Sequence, residues 1–220
     1  MADPETRLAD VHDAIARACR TARRDPAEVT LVAVSKTRSA AEIEALLALG
    51  QRDFGESRVQ ETAEKWPGLR ALHTDARLHL VGQLQSNKAA EAVALFDVIH
   101  SLDRSSLLKA LVEAGGKAGR FPTCFVQVNI GEEEQKGGVA LADLDGFLEQ
   151  VRASPLPLAG LMAIPPAGVQ AAPYFALLSE LARRHGVAGL SMGMSGDYAS
   201  AVMLGATVVR VGSALFQDDA

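Results

Sequence analysis

Short apolar runs alternate with longer amphipathic stretches along most of the chain. Eight runs predict strands near residues 30–35, 51–54, 78–82, 97–101, 123–130, 158–163, 188–192 and 206–211. Helical spacing between them predicts helices near 39–49, 57–66, 86–95, 104–118, 140–152, 170–185 and 196–204. Ser39, Ser86 and Asp103 are predicted N-caps. Strands that alternate with helices are typical of parallel βαβ units, so the pattern predicts an α/β fold.

An additional amphipathic helix precedes the first strand, with Leu8, Val11 and Ile15 on one face. Eight strands with helical crossovers are the number in a TIM-type (β/α)8 barrel. A doubly wound open sheet is the alternative, but the first turn, "SKTRSA", lacks the G-x-G-x-x-G pattern that often accompanies it. We therefore predict a single (β/α)8 barrel domain over residues 1–220, in which residues 1–25 are an added N-terminal helix.

Composition narrows the function mainly by exclusion. The 220 residues are 48% hydrophobic, 22% charged and only 5% aromatic, which is typical of a globular protein with an aliphatic core. A net charge of -5 provides no basic field for nucleic acid or anionic membrane, so a small-molecule ligand is favoured. Cys19 and Cys124 lie far apart, which argues against a disulfide framework and fits a reducing cytoplasm. No apolar run approaches the ~18 residues of a membrane span, and no targeting segment is apparent.

The end of the first predicted strand carries a lysine. In "LVAVSKT", residues 31–37, Lys36 directly follows an apolar run. Active sites of such barrels are built at the carboxyl ends of the strands. A surface lysine with its ammonium in water is the ordinary interpretation. Apolar walls at a barrel mouth would instead partly desolvate Lys36 and favour the neutral amine that forms Schiff bases. An aldolase-like lysine and a pyridoxal phosphate lysine both fit.

Two loops near the end of the chain predict a phosphate site. Barrels frequently bind phosphate with the loops after strands seven and eight and a nearby helix N-terminus. Here "MGMSGD" precedes a helix predicted to open at about Ser195, and "VGSALF" follows strand eight. Backbone N–H groups of Met194, Gly212 and Ser213 can point at one dianion, helped by the hydroxyls of Ser195 and Ser213. Either loop alone is as readily a tight turn, but together they favour phosphate.

An arginine interrupts the last predicted strand, "TVVRVG". Strand alternation places Val208, Arg210 and Gly212 on one face and Val209 and Val211 on the other. If the inward face is the polar one, Arg210 points toward the barrel mouth. It either pairs with a carboxylate from a neighbouring strand or faces the pyridine nitrogen of a cofactor. In the second role the arginine keeps its own proton, so the pyridine nitrogen stays unprotonated and the cofactor ring is a weak electron sink.

Seven motifs, in order, resemble one known family. They are "LVAVSKT", "DFGESRVQE", "HLVGQLQSNK", "NIGEEEQKGG", "GLMAI", "LSMGMSGD" and "VRVGSALF". Over nearly its full length the chain resembles the pyridoxal phosphate-binding homeostasis proteins, the YggS/PROSC group. The resemblance implies a barrel similar to the N-terminal domain of bacterial alanine racemase, with pyridoxal 5'-phosphate as cofactor. It also implies a Schiff base on Lys36, Arg210 facing the pyridine nitrogen, and Ser195, Gly212 and Ser213 holding the phosphate.

Two positions depart from the family pattern. The family usually shows Gly-Glu-Asn-Tyr after strand two, whereas this chain has "GESR", so Ser57 stands where an asparagine is expected near the cofactor. The family usually shows Met-Ser-Asp-Asp, whereas this chain has "MSGD", with Gly196 in place of the first aspartate. We keep Ser57 as a candidate cofactor contact and expect Gly196 to alter only a helix start.

Lys136 and His79 are weaker candidates. By composition Lys136, in "EEEQKGG", is an exposed loop charge. The family resemblance implies that this loop lies over the cofactor mouth, which makes Lys136 a secondary cofactor or phosphate contact. His79 and His100 lie in predicted strands, where a lone histidine is more often a hydrogen-bonded core residue than a ligand. We nevertheless keep His79 among the candidate cofactor contacts, and no spacing predicts a metal site.

Two functions compete at this point. The resemblance implies a non-enzymatic carrier that holds pyridoxal phosphate on Lys36 and serves vitamin B6 and amino-acid or keto-acid homeostasis. We then expect a cytoplasmic monomer whose partners are pyridoxal phosphate-dependent apo-enzymes. The alternative is an amino-acid racemase that uses the same lysine and needs a second acid/base on the opposite face. In alanine racemase-like enzymes a tyrosine from an added β-domain supplies it, and Tyr174 and Tyr198 are poorly placed for this role.

Overall fold

The computed structural model describes residues 3–216, and these residues contain eight parallel strands closed into a barrel. The strands are β1 (Thr30–Val34), β2 (Asp53–Glu56), β3 (Arg77–Leu80), β4 (Val98–Leu102), β5 (Thr123–Gln127), β6 (Leu158–Met162), β7 (Gly189–Ser191) and β8 (Val208–Val211). Each strand pairs with the next, and β8 closes the sheet against β1. This arrangement confirms the predicted (β/α)8 barrel.

Helices surround the strands. They are α1 (Pro4–Ala22), α2 (Ala40–Ala48), α3 (Val59–Leu72), α4 (Ala89–Leu95), α5 (Ser105–Ala118), α6 (Leu144–Arg152), α7 (Ala172–Arg184) and α8 (Tyr198–Met203). Short 3₁₀ turns lie at Pro26–Glu28, Ser86–Lys88 and Leu141–Asp143. Residues 1–2 and 217–220 of the predicted domain lie outside the described residues. Within residues 3–216, no helix is both long enough and apolar enough to span a bilayer.

The added N-terminal helix is confirmed as α1. The Asp3 carboxylate caps it by accepting the Thr6 N–H over 2.7 Å. Its buried residues include Leu8, Val11 and Ile15, the predicted apolar face. Because this face joins the main apolar core, α1 is packed onto the barrel rather than projecting from it.

Alternation along the strands separates an inner from an outer core. Outward residues such as Leu31 and Ala33 belong to the large core between strands and helices. A second cluster fills the barrel interior: Val32, Val98, Phe125, Met162 and Val208. Arg210 shares the facing of Val208 and is therefore directed inward. The inner face is mixed, because Arg210 lies opposite Val32 and His79 lies opposite Val98 in the strand register.

Several boundaries differ from the predicted ones. The second strand is Asp53–Glu56 rather than 51–54, because the Gln51 side chain donates to the carbonyls of Leu31 and Asp53, both over 2.7 Å, and ends the preceding turn. Helix α3 continues past Pro67, where the prediction stopped at 66, because Leu69 beyond the proline is buried in the core. The predicted helices 86–95 and 140–152 each begin with a 3₁₀ turn instead of an α-turn.

One of the three predicted N-caps is confirmed. Ser39 forms a capping box with Glu42, in which the Ser39 N–H donates to Glu42 over 2.8 Å. Ser86 starts a 3₁₀ turn rather than capping α4, so that prediction is wrong. Asp103 is also not a cap, because its carboxylate is taken by the Arg104 guanidinium over 2.6 Å and Arg104 occupies the N-cap position of α5.

Candidate functional site

A cavity of about 510 Å³ opens where several strands end at the carboxyl side of the barrel. Its lining residues are Val34, Lys36, Thr37, Arg38, Ser57, Val81, Ile164, Met194, Ser195, Gly196, Arg210, Gly212 and Ser213. Seven of the nine predicted site residues, all of them within the described chain, line it, and His79 and Lys136 do not. The volume falls within the ~300–1,000 Å³ of typical small-molecule sites.

Lys36 enters the cavity from a turn two residues beyond the end of β1. Apolar wall residues stand near it, namely Val34, Val81 and Ile164. The lysine itself is exposed, so the predicted partial desolvation is wrong. The turn carries Lys36 past the strand end to the wide mouth of the cavity, where water reaches it.

Arg210 lies on the inner side of the same cavity and is only 4% exposed. Its Nη1 donates to Ser191 Oγ over 2.5 Å, and its Nη2 donates to the Ala163 carbonyl over 3.1 Å. Burial lowers the pKa of Arg210 to about 10, against the opposing effect of the Asp197 charge. Both acceptors are neutral, so the alternative in which Arg210 pairs with a carboxylate from a neighbouring strand does not hold among the described residues. The guanidinium is a buried cation with no carboxylate acceptor among the described residues.

The loops after β7 and β8 meet, as the closed barrel requires. The Gly212 N–H donates to Ser195 Oγ over 3.2 Å, which joins the two loops directly. The Met194 N–H, in contrast, donates to Asp197 Oδ1 over 2.6 Å. The amides of Met194 and Gly212, which we predicted to face phosphate, therefore both already have acceptors. Ser195, Gly212 and Ser213 nevertheless line one wall of the cavity together.

The helix predicted to open at about Ser195 begins later. The N–H groups of Asp197 and Tyr198 both donate to the Met194 carbonyl, over 2.9 and 2.8 Å. Residues 194–197 thus form a turn, and α8 starts only at Tyr198. The prediction of the helix start was wrong because Asp197 closes this turn before the helix begins.

Gly193 allows the loop to lie against α8. Its φ is +92°, in the region that favours glycine, and an added Cβ would lie 2.6 Å from Ala201 Cβ. The Gly193 carbonyl accepts the Arg210 N–H over 3.0 Å. This one residue therefore ties the loop both to α8 and to the strand that carries the buried arginine.

Ser57 lines the cavity directly after β2. The neighbouring end of β3 approaches it closely, since a Cβ on Gly82 would lie 2.2 Å from the Ser57 carbonyl oxygen. Glycine at position 82 is thus required for this contact between the two strand ends. The position of Ser57 agrees with its choice as a candidate, while a contact with a cofactor stays a prediction.

His79 lies in the barrel interior rather than in the cavity wall. Its Nε2 lies 2.9 Å from Asp53 Oδ1, and its Nδ1 lies 2.9 Å from Nε2 of His100. His100 Nδ1 lies 2.8 Å from Ser191 Oγ, the acceptor for Arg210. Both ring nitrogens of His79 are therefore engaged, as expected for a hydrogen-bonded core histidine. A direct cofactor contact does not fit this position.

These contacts form one chain of hydrogen bonds from the cavity to β2. Arg210 can only donate, so Ser191 Oγ accepts from it and can donate its own proton to His100 Nδ1. His100 then donates from Nε2 to His79, which donates from Nε2 to Asp53. This direction leaves every member of the chain with a partner. Burial, reinforced by His79 and Arg210, holds the pKa of His100 well below its usual value, which keeps that ring neutral.

Lys136 lies beside the cavity without lining it. Its Nζ lies 2.6 Å from Glu133 Oε2 and donates to the Pro165 carbonyl over 3.4 Å. Pro165 follows Ile164, which is a lining residue, so Lys136 belongs to a neighbouring loop. The Glu133 carboxylate and the Pro165 carbonyl occupy its ammonium, and a secondary cofactor contact stays a prediction.

Sequence reasoning missed several lining residues. Arg38 lies in the same turn as Lys36, with its guanidinium 3.6 Å from the Glu42 carboxylate and 5.6 Å from the centre of the Phe216 ring. Ile164 follows β6, and the rule that barrel sites follow strand ends would have identified it. Groups of three or more potential metal-ligating side chains do not occur among residues 3–216.

Comparison with known proteins places this geometry in a family. The sequence profile of the family described as "Alanine racemase, N-terminal domain" matches residues 11–220. The pyridoxal phosphate homeostasis protein of Pseudomonas aeruginosa is 43% identical over 216 residues, which cover 95% of this chain and 93% of that protein. Its counterpart in Escherichia coli is 36% identical over 228 residues, with 98% and 97% covered.

A solved structure supports the same family assignment as the sequence relatives. PipY of Synechococcus elongatus, in its structure with pyridoxal phosphate bound, superposes with a TM-score of 0.85 at 39% identity, covering 97% of this chain and all of that one. These comparisons confirm the resemblance that the seven motifs indicated. The chain therefore belongs to the pyridoxal phosphate homeostasis proteins, within the alanine racemase N-terminal domain family.

Proposed function

We propose that this protein binds pyridoxal 5'-phosphate in the cavity at the barrel mouth and holds it reversibly through Lys36. One observation carries the proposal: Lys36, Arg210 and the Ser195, Gly212 and Ser213 wall line the same cavity. When bound, the cofactor supplies an aldehyde that condenses reversibly with a primary amine. The relatives named for pyridoxal phosphate homeostasis, and PipY with that cofactor bound, support the same conclusion.

The residues present fit the cofactor's chemical groups. The exposed amine of Lys36 is available to the aldehyde. Arg210 would donate a hydrogen bond to the pyridine nitrogen without giving up its proton, since even at a pKa of about 10 it stays protonated at neutral pH. The hydroxyls of Ser195 and Ser213 and the N–H of Ser213 would hold the phosphate. Ser57 remains a candidate contact to the ring.

We infer that the protein is a carrier for vitamin B6 and amino-acid or keto-acid homeostasis, without catalytic turnover. A racemase would need a second acid/base across the cavity from Lys36. Among the described residues that line the cavity, no carboxylate, imidazole or phenol occurs. Arg210 would also keep the pyridine nitrogen unprotonated, which disfavours carbanion chemistry. Both features support holding the cofactor over transforming a substrate.

Absorbance spectroscopy with Lys36→Ala tests the binding proposal. The wild-type protein mixed with pyridoxal phosphate is expected to turn yellow, and borohydride reduction should fix the cofactor on the peptide that contains Lys36. Lys36→Ala should show neither result, whereas Lys88→Ala, a lysine paired with Glu91 outside the cavity, should behave like wild type. A colourless wild-type protein that takes up no cofactor would contradict the proposal.

Deuterium exchange distinguishes a carrier from a racemase. The loaded protein is incubated with single-enantiomer amino acids in deuterated water, and α-deuterium is measured by mass spectrometry. We expect no exchange above that of free pyridoxal phosphate. Exchange at enzymic rates that depends on Lys36 would support the racemase alternative.

The proposal extends to location, assembly and partners. The two free cysteines, Cys19 and Cys124, support a reducing, cytoplasmic setting. We also propose that the protein is monomeric and delivers its cofactor to pyridoxal phosphate-dependent apo-enzymes. Light scattering tests the monomer, and activation of an apo-enzyme across a filter that retains both proteins tests whether transfer requires contact.

A further inference from the structure

The turn that carries Lys36 is held from one side by a lysine of α3. The Nζ atom of Lys65 donates to the Ser35 carbonyl over 2.9 Å and to the Arg38 carbonyl over 3.3 Å. These carbonyl groups lie one residue before Lys36 and two residues after it. The Arg38 N–H in turn donates to the Ser35 carbonyl over 3.0 Å. Lys65 therefore bridges the two ends of the turn.

Lys65 is itself fixed by carboxylates. Its Nζ lies 2.8 Å from Glu56 Oε1 and 3.3 Å from Glu61 Oε1. The Glu56 side chain is fully buried and that of Lys65 is only 11% exposed, so the pair is largely removed from water. Glu56 Oε1 also accepts from Ser35 Oγ over 2.7 Å and from Trp66 Nε1 over 2.9 Å. The contacts with two carbonyl oxygens and two carboxylate oxygens fix the position of the ammonium, and removing one partner of the buried pair would leave an uncompensated charge.

Glu61 makes the remaining contact with the turn. Thr37 has a φ of +63°, which a β-branched residue rarely adopts. Its N–H donates to Glu61 Oε1 over 2.7 Å. Burial acts to raise the pKa of Glu61, but the Thr37 N–H and the Lys65 ammonium together hold it below its usual value. An ionised acceptor thus stabilises the unusual backbone directly after Lys36.

We propose that Lys65, held by Glu56, is a positioning residue for Lys36, fixing the turn so that the Lys36 amine meets a bound aldehyde in a reactive orientation. This inference rests on the proposed function. In that reaction the neutral Lys36 amine forms a bond to the aldehyde carbon, and the carbonyl oxygen leaves as water with the two amine protons. Lys65 does not replace Lys36, because four oxygen atoms surround its Nζ and it does not line the cavity.

Stopped-flow absorbance of Lys65→Met tests the proposal. The cofactor-free variant is mixed with pyridoxal phosphate, and the rate of formation of the Lys36 link is measured. We expect a rate at least tenfold below wild type, because a misplacement of about 1 Å costs up to ~10²-fold. Lys117→Met is the matched control, since Lys117 is 75% exposed on α5 in a surface pair with Glu113, and it should react at the wild-type rate.

A double-mutant cycle separates positioning from a general effect on the cavity. Lys36→Ala can bind the cofactor only non-covalently, and its affinity is measured by fluorescence titration. Adding Lys65→Met to that variant should change the affinity less than twofold, because Lys65 acts through Lys36. The same Lys65→Met change is also made in the protein that retains Lys36. If Lys65→Met lowers the affinity equally with and without Lys36, Lys65 is merely structural and the proposal is wrong.

Glu61→Ala provides a second variant that leaves the buried Lys65–Glu56 pair intact. The change removes the acceptor of the Thr37 N–H. Because Thr37 is exposed, water can replace that acceptor, so we expect the protein to fold with a looser turn. Because Glu61 Oε1 also lies 3.3 Å from the Lys65 Nζ and is part of the same fixed turn, we expect a severalfold slower reaction, and this variant tests the fixing of the turn if Lys65→Met does not fold. Wild-type rates in the folded variants overturn this inference alone. If pyridoxal phosphate forms no covalent link to Lys36 in the wild-type protein, the proposed function itself is wrong.

Discussion

The Nη1 atom of Arg210 donates a hydrogen bond to Oγ of Ser191 over 2.5 Å. Since the same oxygen lies 2.8 Å from His100 Nδ1, the cavity is connected to the polar interior of the barrel. Arg210 is buried without a carboxylate acceptor among the described residues, so neutral groups alone orient it. Ser191 therefore has two partners to satisfy, and its removal affects both.

Replacing Ser191 by alanine is expected to lower stability and weaken cofactor binding together. The change leaves an N–H of Arg210 and a nitrogen of His100 without partners, which costs about 1–3 kcal/mol. Ser101→Ala is the matched control, because Ser101 is equally buried but its Oγ has no hydrogen-bond partner among residues 3–216. Urea unfolding and titration with pyridoxal phosphate measure both effects. Equal stability and equal affinity of the two variants would show that the hydrogen bonds of Ser191 contribute to neither quantity.

The direction of the hydrogen-bond chain predicts the tautomers of its two histidines. His100, held neutral by burial, should carry its proton at Nε2, and Nε2 of His79 should carry the proton donated to Asp53, because the chain runs from Arg210 toward Asp53. Nitrogen chemical shifts of ¹⁵N-labelled protein at neutral pH report the protonated nitrogen of each ring. A shift typical of protonated Nδ1 on His100 would reverse the chain and contradict this prediction.

The buried His100 predicts a pH dependence of stability. Its pKa is held well below the usual value by burial, then by His79 and Arg210, while the unfolded chain regains a value near ~6.5. As pH falls below that unfolded value, only the unfolded state takes up the proton. The free energy of unfolding should therefore fall by up to about 1.4 kcal/mol per pH unit from this group.

His100→Gln should remove that part of the pH dependence. The groups facing His100 are His79 on β3, Phe125 on β5, Ser191 on β7 and Arg210 on β8, and all of them remain in the variant. Urea unfolding of both proteins between pH 4.5 and 8, a range chosen to bracket ~6.5, gives the two slopes. The slopes should agree above pH ~7.5 and diverge below ~6.5. Parallel slopes over the whole range would contradict the prediction.

Much of the site follows from local sequence features joined to barrel topology. Lys36 was identifiable because it follows an apolar strand, and Arg210 because it interrupts one. The meeting of Ser195 with Gly212 follows once strands seven and eight are neighbours, since the loops at their carboxyl ends must then be adjacent. These predictions needed the order of the strands but no side-chain detail.

Contacts between distant elements were not predictable in the same way. Lys65 reaches from α3 back to the turn after β1, and nothing in its local pattern distinguishes it from a surface lysine. The His79–His100 contact depends on the register of β3 against β4, in which His79 is opposite Val98. The exposure of Lys36 was mispredicted for a related reason, because the turn geometry after the strand decides how far its side chain projects.

Gly193→Ala is expected to destabilise the protein and displace the loop after β7. The positive φ and the 2.6 Å approach to Ala201 Cβ both oppose a side chain, and such strain costs about 1–3 kcal/mol. Gly196→Ala is the control, because an added Cβ there meets no atom within 4 Å and the φ is not in the left-handed region. Thermal unfolding should separate the two variants by several degrees. Similar melting temperatures would show that the loop relaxes without cost.

Asp197 should weaken the binding of phosphate even though it shapes the loop that we expect to bind it. Its Oδ1 accepts the Met194 N–H over 2.6 Å, and its charge is close enough to affect the pKa of Arg210. Asp197→Asn keeps an oxygen acceptor for Met194 but removes the negative charge. Two charges several ångströms apart near a protein surface interact by about 1 kcal/mol or more, so the variant should bind pyridoxal phosphate roughly fivefold more tightly at low salt.

Three comparisons make that prediction specific. Pyridoxal, which lacks the phosphate, should show a much smaller difference in affinity between Asp197→Asn and wild type, since no second anion is involved. The gain in affinity should shrink at high salt because the charge of the partly exposed Asp197 is screened. Glu113→Gln removes an equal charge from α5, where Glu113 pairs with Lys117 on the surface, and should leave the affinity unchanged. If Asp197→Asn instead binds pyridoxal phosphate more weakly, the carboxylate acts chiefly by holding the Met194 turn, and its charge is not what limits phosphate affinity.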